Sequence, residues 1–459
     1  MIELNPEFRR NLWLELSLHR LVAMPAILAL VLALVYAASN DKVDAMAGAA
    51  AVIAAVLLGI WGTRCAADCV MEEVRARTWD GQRMSAIGPW AMIWGKLFGS
   101  ASFAWYGGLM ALAVLMLCAP RGWAHSPAKV AALIVAGSVL AQGAACFGGL
   151  VAARKGHVRP GVFNVLLVVL LIVFIGPGTS LVGSADHAPA MWWGQSYERM
   201  NFVLASAACF AAWAVFGCYR VMCAELQVRT LPWAFVAFAA FLTAYLPGFW
   251  IVPEAGFAGM LNVVLIGGLL IAAALTYVQL LSEQSGVIVF RRVLLRLRRG
   301  ETRRALEELP CWPVGLALAG VFSVLGLALL DPIADPSSSD RSLALVPLPV
   351  FLLLARDAAI LLFFAFAWQP RRVETTTFFY LALLYGVVPG LLKAAGMETI
   401  ADLVLPPVLE APAKATLVVA VQLTVAAALV RWRLRAYARH EAHASAPNTS
   451  APNTSAPIT

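Results

Sequence analysis

Residues 21–38 read LVAMPAILALVLALVYAA, with no charged side chain in the run. An α-helix rises about 1.5 Å per residue, so roughly 20 apolar residues cross a hydrocarbon core about 30 Å thick. No water in that core can satisfy free backbone groups, so such a run is helical. Comparable runs recur almost to Trp432, and the spacing predicts spans at 21–39, 46–63, 91–117, 128–152, 162–181, 200–219, 232–252, 258–281, 312–330, 343–368, 376–395 and 414–432. The composition agrees, with 61% hydrophobic and 13% charged residues against about 25% charged in a soluble domain. The expected fold is an all-α polytopic membrane protein of about twelve transmembrane helices.

The net charge of +8 is placed by topology. With a cytoplasmic N-terminus, inward segments hold 25 Lys and Arg residues and outward loops hold 7, alternating at every crossing. Cytoplasmic loops of membrane proteins carry such an excess, so both termini are expected inside and nucleic acid is not needed to explain the charge. The lipid bilayer, including its anionic headgroups, is the expected partner of the basic residues. The first run is followed by further spans and reads as a retained helix rather than a cleaved leader. The eight cysteines read as small buried side chains without a disulfide or metal role.

Three segments make up the chain. Asn5-Pro6-Glu7 supplies a cap, a proline at the first helical position and an acid in the first turn. It opens an interfacial helix with Phe8, Leu12, Trp13 and Leu16 on one face. Residues 1–226 then form a six-span half and 227–440 a second. The repeats within 441–459 read as a disordered cytoplasmic tail. A faint duplication supports two halves: Arg83 to Pro89-Trp90 precedes the third span, and Arg304 to Pro310 and Trp312 precedes the ninth. Gly176-Pro177-Gly178 and Pro389-Gly390 end the fifth and eleventh spans.

The polar stretch from Glu72 to Ser85, running on to Gly95-Lys96, is bounded by spans on both sides. Thr78 is expected to cap a short helix, and Gly88-Pro89 to end it. Glu73, Thr78, Ser85, Gly95 and Lys96 follow the order of an acid, Gly-Thr, a short helix, Ser-Pro and Gly-Lys. In this the chain resembles the type-2 ABC permeases, the exporter-type membrane subunits of ATP-binding-cassette transporters. Arg77 departs from the usual Gly, and Ala86 from the usual Pro. The resemblance implies a coupling helix docked on a separate ATPase subunit, with Glu73, Arg75, Arg77, Thr78, Trp79, Asp80 and Arg83 as contacts and Trp79 as the apolar anchor. No phosphate-binding loop follows from Gly88 to Gly95-Lys96, because the spacing fails and Leu97 replaces Ser or Thr. No cofactor is expected in this chain, and ATP belongs to the partner.

Seven arginines from Arg291 to Arg304 lie between the eighth and ninth spans. They suit a basic interfacial helix, and Arg303 and Arg304 are candidates for a second docking site at the equivalent place. Arg356 and Asp357 fall within the tenth span, where a charge costs about 2.5–3.5 kcal/mol. With Lys96 they are the candidate intramembrane polar residues. Adjacent helical residues point about 100° apart, so each is expected to find a partner elsewhere. The reading is a permease subunit without chemistry of its own, in a bacterial inner membrane, as a homodimer or fused pseudo-dimer. The alternative is a twelve-helix secondary transporter driven by an ion gradient. A membrane enzyme is disfavoured by scattered histidines.

Overall fold

The computed structural model of the chain describes residues 5–119, 126–154, 189–251, 256–282, 287–330, 345–366 and 373–444. Among these, eight helices are long and apolar enough to cross a membrane, and one bent helix pair brings the number to nine. The chain is therefore an all-α, multi-pass membrane protein, with one short two-stranded hairpin among the described residues. It divides into two compact units, Met1–Leu231 with Gly248–Pro253, and Pro232–Pro247 with Glu254–Thr459.

In the first unit, Asn5 caps α1 (Pro6–Glu15), accepting from the Glu7 and Phe8 amides at 3.0 and 3.5 Å. The first apolar run forms α2 (Leu18–Ala38). Then α3 (Lys42–Ala54) passes through a π-helical turn, Ala55–Trp61, into α4 (Gly62–Arg75). At this turn the Gly62 amide reaches back five residues to the Leu57 carbonyl. Leu58 O accepts instead from Gln142 Nε2 at 2.8 Å, and Trp105 Nε1 donates to Gln142 Oε1 at 3.1 Å. A buried carboxamide thus holds the turn, and Gly62 leaves it the room.

Next come α5 (Trp79–Arg83), α6 (Pro89–Gly99), α7 (Ser102–Cys118) and α8 (Pro127–Arg154). The expected span at 91–117 is formed by α6 and α7, bent by 60° between them. A hairpin, β1 (Ala190–Trp192) and β2 (Gln195–Tyr197), leads into α9 (Arg199–Glu225). α8 and α9 run parallel. Lys129 and Glu198 pair at 2.8 Å near their starts, Cys218 Sγ donates to Gly143 O at 3.1 Å midway, and Arg154 meets Glu225 at 3.7 Å at their ends. Arg154, which ends α8, and Arg199, which starts α9, therefore lie at opposite ends of the pair. The expected fifth span, 162–181, and Gly176-Pro177-Gly178 lie outside the described residues.

Leu231 O accepts from Arg220 Nη2 near the end of α9, at 2.8 Å. Gly248 O accepts from the Trp193 amide, ahead of the start of α9, also at 2.8 Å. Leu231 and Gly248 thus lie at opposite ends of α9, while residues 232–247 belong to the second unit. They comprise α10 (Trp233–Tyr245) and the start of a single 3-10 turn, Pro247–Phe249, shorter than the expected 232–252.

The second unit continues with α11 (Gly256–Ser282), α12 (Val287–Arg298), α13 (Thr302–Glu308), α14 (Cys311–Leu330) and α15 (Pro347–Ala365). Gly268 packs against Phe322 and Gly315 against Thr276, so α11 and α14 are antiparallel with backbones close together. After α16 (Val373–Ala382) a second π-helical turn, Leu383–Val387, leads to α17 (Val388–Ala394), α18 (Glu398–Val404) and α19 (Pro412–Ala444). Arg356 bonds Gln422 and Arg433 lies over Phe363, so α15 and α19 are parallel. The intervening chain runs back along α15, with Tyr380 against Phe364 and Tyr385 against Arg356. The last helix continues to Ala444, past the expected start of a disordered tail at 441. Residues 445–459 lie outside the described residues.

A local motif recurs. α4 ends with Arg77 at φ 57°, and the amides of Thr78 and Arg77 donate to the Glu73 and Val74 carbonyls at 3.0 and 3.2 Å. α12 ends with Gly300 at φ 75°, and Glu301 and Gly300 donate to Arg296 and Leu297 at 3.0 and 3.1 Å. Both are left-handed helix ends of the Schellman type. Each is followed by a short helix (α5, α13), a proline and the next apolar helix (α6, α14).

Candidate functional site

The site in the first unit begins at Lys96, on α6, whose side chain is 1% exposed. Its Nζ donates to Glu73 Oε2, to Gln82 Oε1 at 2.6 Å and to Glu7 Oε1 at 3.2 Å. Its charge also sits 5.2 Å from the Trp79 ring centroid. Arg10 completes the set, bonding Glu7 Oε1 at 3.1 Å and Glu73 Oε1 at 3.2 Å, while Gln82 Nε2 donates to Glu73 Oε1 at 2.6 Å. Two carboxylates and two cations balance, and amide groups take up remaining bonding capacity, as a buried ion cluster requires.

Four elements meet at this cluster: α1, the end of α4, α5 and α6. Glycine permits the approach. A Cβ on Gly95 would come within 2.6 Å of Glu7 Cβ, and one on Gly99 within 2.7 Å of Asn11 Cβ. Asn11 Nδ2 donates to Gly95 O at 3.1 Å, and Asn5 Nδ2 to Ala91 O at 2.5 Å. The interfacial helix therefore turns its polar edge, Asn5, Glu7 and Asn11, into the protein, whereas Trp13 on another face is 82% exposed.

This geometry corrects three expectations for the segment. Trp79 is 6% exposed and packs with Ala66, Val70, Met92 and Ile93, so it anchors α5 within this chain and cannot fill a partner's pocket. Glu73 is likewise committed to the internal cluster. Thr78 does not cap α5 with its side chain; its Oγ1 donates back to Glu73 O at 3.3 Å. Arg83 pairs with Asp80 at 3.4 Å and lies 3.8 Å from the buried carboxylate of Glu225. Arg75, Arg77, Thr78 and Asp80 remain exposed on the outer side. Met84, 88% exposed, is the large apolar side chain that this segment offers outward, and the sequence did not single it out beside the larger Trp79 five residues before it.

In the second unit Arg303 and Arg304 are exposed on α13, paired with Glu307 at 3.4 Å and Glu301 at 3.3 Å. They occupy the place after the Gly300 turn that α5 occupies after Arg77.

Arg356 and Asp357 are 2% and 1% exposed, inside the second unit. Contrary to the expectation that neighbours on a helix cannot meet, Arg356 Nη2 and Nε donate to Asp357 Oδ1 at 2.7 and 2.9 Å. The guanidinium stem is long enough to curl back over one residue. Tyr277 and Tyr385 each donate to Asp357 Oδ2 at 2.6 Å. Arg356 also donates to Tyr385 Oη at 2.8 Å and to Gln422 Oε1 at 2.6 Å. Tyr385 reaches this place from the π-helical turn.

None of the eight cysteines is in a disulfide. Among the described residues no group of three or more His, Cys, Asp or Glu side chains could hold a metal ion. No family model, curated protein or solved structure matches the chain.

Proposed function

We propose that the chain is the membrane-spanning subunit of an ATP-binding-cassette exporter in a bacterial inner membrane. It moves its substrate by alternating access, without chemistry of its own, and takes its energy from ATP bound on a separate ATPase subunit. Twelve crossings, in two six-span halves with both termini cytoplasmic, are part of the proposal; the parallel runs of α8 with α9 and of α15 with α19 support that count.

The observation that carries the reading is the mounting of α5. Lys96, Glu73 and Gln82 tie it to α4 and α6, and Glu7 and Arg10 tie the same cluster to α1. A force applied to its exposed side, at Arg75, Arg77, Asp80 or Met84, passes into the bent pair α6–α7 through buried charges rather than through a pliable loop. That is what a lever driven by a docked partner needs.

The test changes the outer side alone. Met84→Asp with Arg75→Glu alters exposed side chains, so folding and membrane insertion should be retained. Loss of an interface anchor commonly costs about 2 kcal/mol, roughly thirtyfold in affinity. Co-purification with the ATPase should fall by that order and hydrolysis should uncouple from transport. Unchanged association and transport would remove the reading.

A second reading, a secondary transporter driven by an ion gradient, draws on the buried Arg356–Asp357 pair. It requires uptake or efflux in proteoliposomes with a gradient and no nucleotide. The bonding of both Asp357 oxygens within the chain favours a structural role for the pair.

A further inference from the structure

α12 has no acidic residue, and one of its faces is open. On that face Leu294 and Leu295 are exposed large hydrophobics, interleaved with the exposed Arg292, Arg298 and Arg299. The opposite side is already occupied: Val293 is buried, and Phe290 packs against Trp312 and Phe366 with ring centroids 5.6 and 5.7 Å apart. Among the described residues the nearby acids are also taken. Glu308 pairs with Arg296 at 2.7 Å, Glu307 with Arg303 and Glu301 with Arg304. Among the described residues Arg292, Arg298 and Arg299 have no ion-pair partner.

Three uncompensated guanidinium groups beside two exposed leucines define the occupant by charge and polarity. The leucines want hydrocarbon, and the arginines want phosphate, whose planar bidentate recognition suits guanidinium. The place in the chain says where both are found together. α12 lies between two membrane-spanning helices, α11 and α14, so it sits at the level where acyl chains give way to headgroups. Long basic side chains beside apolar ones bridge that boundary. We propose that this face of α12 binds the headgroups of anionic phospholipids, with Arg292, Arg298 and Arg299 on phosphate and Leu294 and Leu295 in the acyl boundary. The site does not depend on the ATPase reading.

The test uses the full chain, purified in detergent and titrated with dioleoyl phosphatidylglycerol or dioleoyl phosphatidylcholine, with bound lipids counted by native mass spectrometry. The chain should retain phosphatidylglycerol in preference. Each arginine near an anionic surface contributes about fivefold in affinity. The triple change Arg292→Gln, Arg298→Gln and Arg299→Gln should therefore cut the preference at least about tenfold, with the thermal transition unchanged. A control with equal charge loss, Arg9→Gln, Arg64→Gln and Arg229→Gln, should keep it. Equal retention of the two lipids, survival of the preference in the α12 triple variant, or equal loss in the control would each overturn the proposal. If the α12 variant kept its lipid preference and instead lost the co-purifying ATPase, the face would be a protein interface and the lipid assignment would fall.

Discussion

Lys96 has left water almost completely, and its ammonium is stable there because three acceptors and an indole face surround it. Removing one partner of such a buried set commonly costs about 3–5 kcal/mol, because a charge is left without compensation. Lys96→Met should therefore lower the thermal transition of the purified chain sharply, and Lys96→Met with Glu73→Gln should recover part of the loss. An unchanged transition in the single variant would mean that the cluster is not formed. Arg77 presents the opposite case. It holds φ 57° at the end of α4, a conformation that costs a residue with a Cβ about 1–2 kcal/mol. Arg77→Gly should stabilise the chain by about 1 kcal/mol, read as a small rise in the same transition, whereas Arg77→Val should destabilise it. The sequence showed the polar residues of this region, and the resemblance implied a Gly where Arg77 stands. It did not show that Glu7 and Lys96, 89 residues apart, meet, nor that Trp79 faces inward. Those contacts depend on how α1 and α5 are laid against α6, which no local pattern encodes.

Among the elements, the long apolar helices were legible because each contains enough apolar residues to cross a bilayer, and Asn5-Pro6-Glu7 announced α1 through its cap. The interruptions were not. The π-helical turn at Ala55–Trp61 lies in an ordinary apolar run, and its cause is on another helix, where Gln142 offers Nε2 to Leu58 O. Gly62 is the local accomplice, since a methyl group there would collide with the Gln142 carboxamide. Gly62→Ala should cost about 1–3 kcal/mol by overpacking and by loss of that hydrogen bond. Adding Gln142→Ala should remove the collision but leave the Trp105 indole N–H without its acceptor, so recovery should be incomplete. Full recovery in the double variant, measured by thermal unfolding in detergent, would show that the bonds of Gln142 add nothing to stability. Arg356 and Asp357 were found from the cost of charge at their depth, but their mutual pairing depends on a side-chain rotamer rather than on helical periodicity.

At the scale of the whole chain, the side on which each loop lies turns on which of the shorter helices cross the membrane. Counting the eight long helices and the bent pair alone gives nine crossings. Such a count places Arg229 and Ala444 on the opposite side from Arg77 and Arg299. Twelve crossings place all four on one side. Packing directions favour the larger number. α8 and α9 are parallel, so Arg154 and Arg199 lie at opposite ends of the pair, and Leu231 and Gly248 lie at opposite ends of α9. In the second unit α15 and α19 are parallel, and α16 to α17 run back between their ends. The charge pattern argues in the same direction, because the segments holding Arg229 and Arg435 are basic, as cytoplasmic loops are. A reporter that fluoresces only when folded in the cytoplasm, fused after Arg77, Arg229, Arg299 and Ala444, should therefore give signal at all four positions, while fusions after Asp41 and Leu405 stay dark. A dark fusion at Arg229 with signal at Arg299 would remove both the crossing between Arg154 and Arg199 and the one formed by α10. A dark fusion at Ala444 with signal at Arg299 would remove the one formed by α16 and α17, and with it the six-span form of the second half.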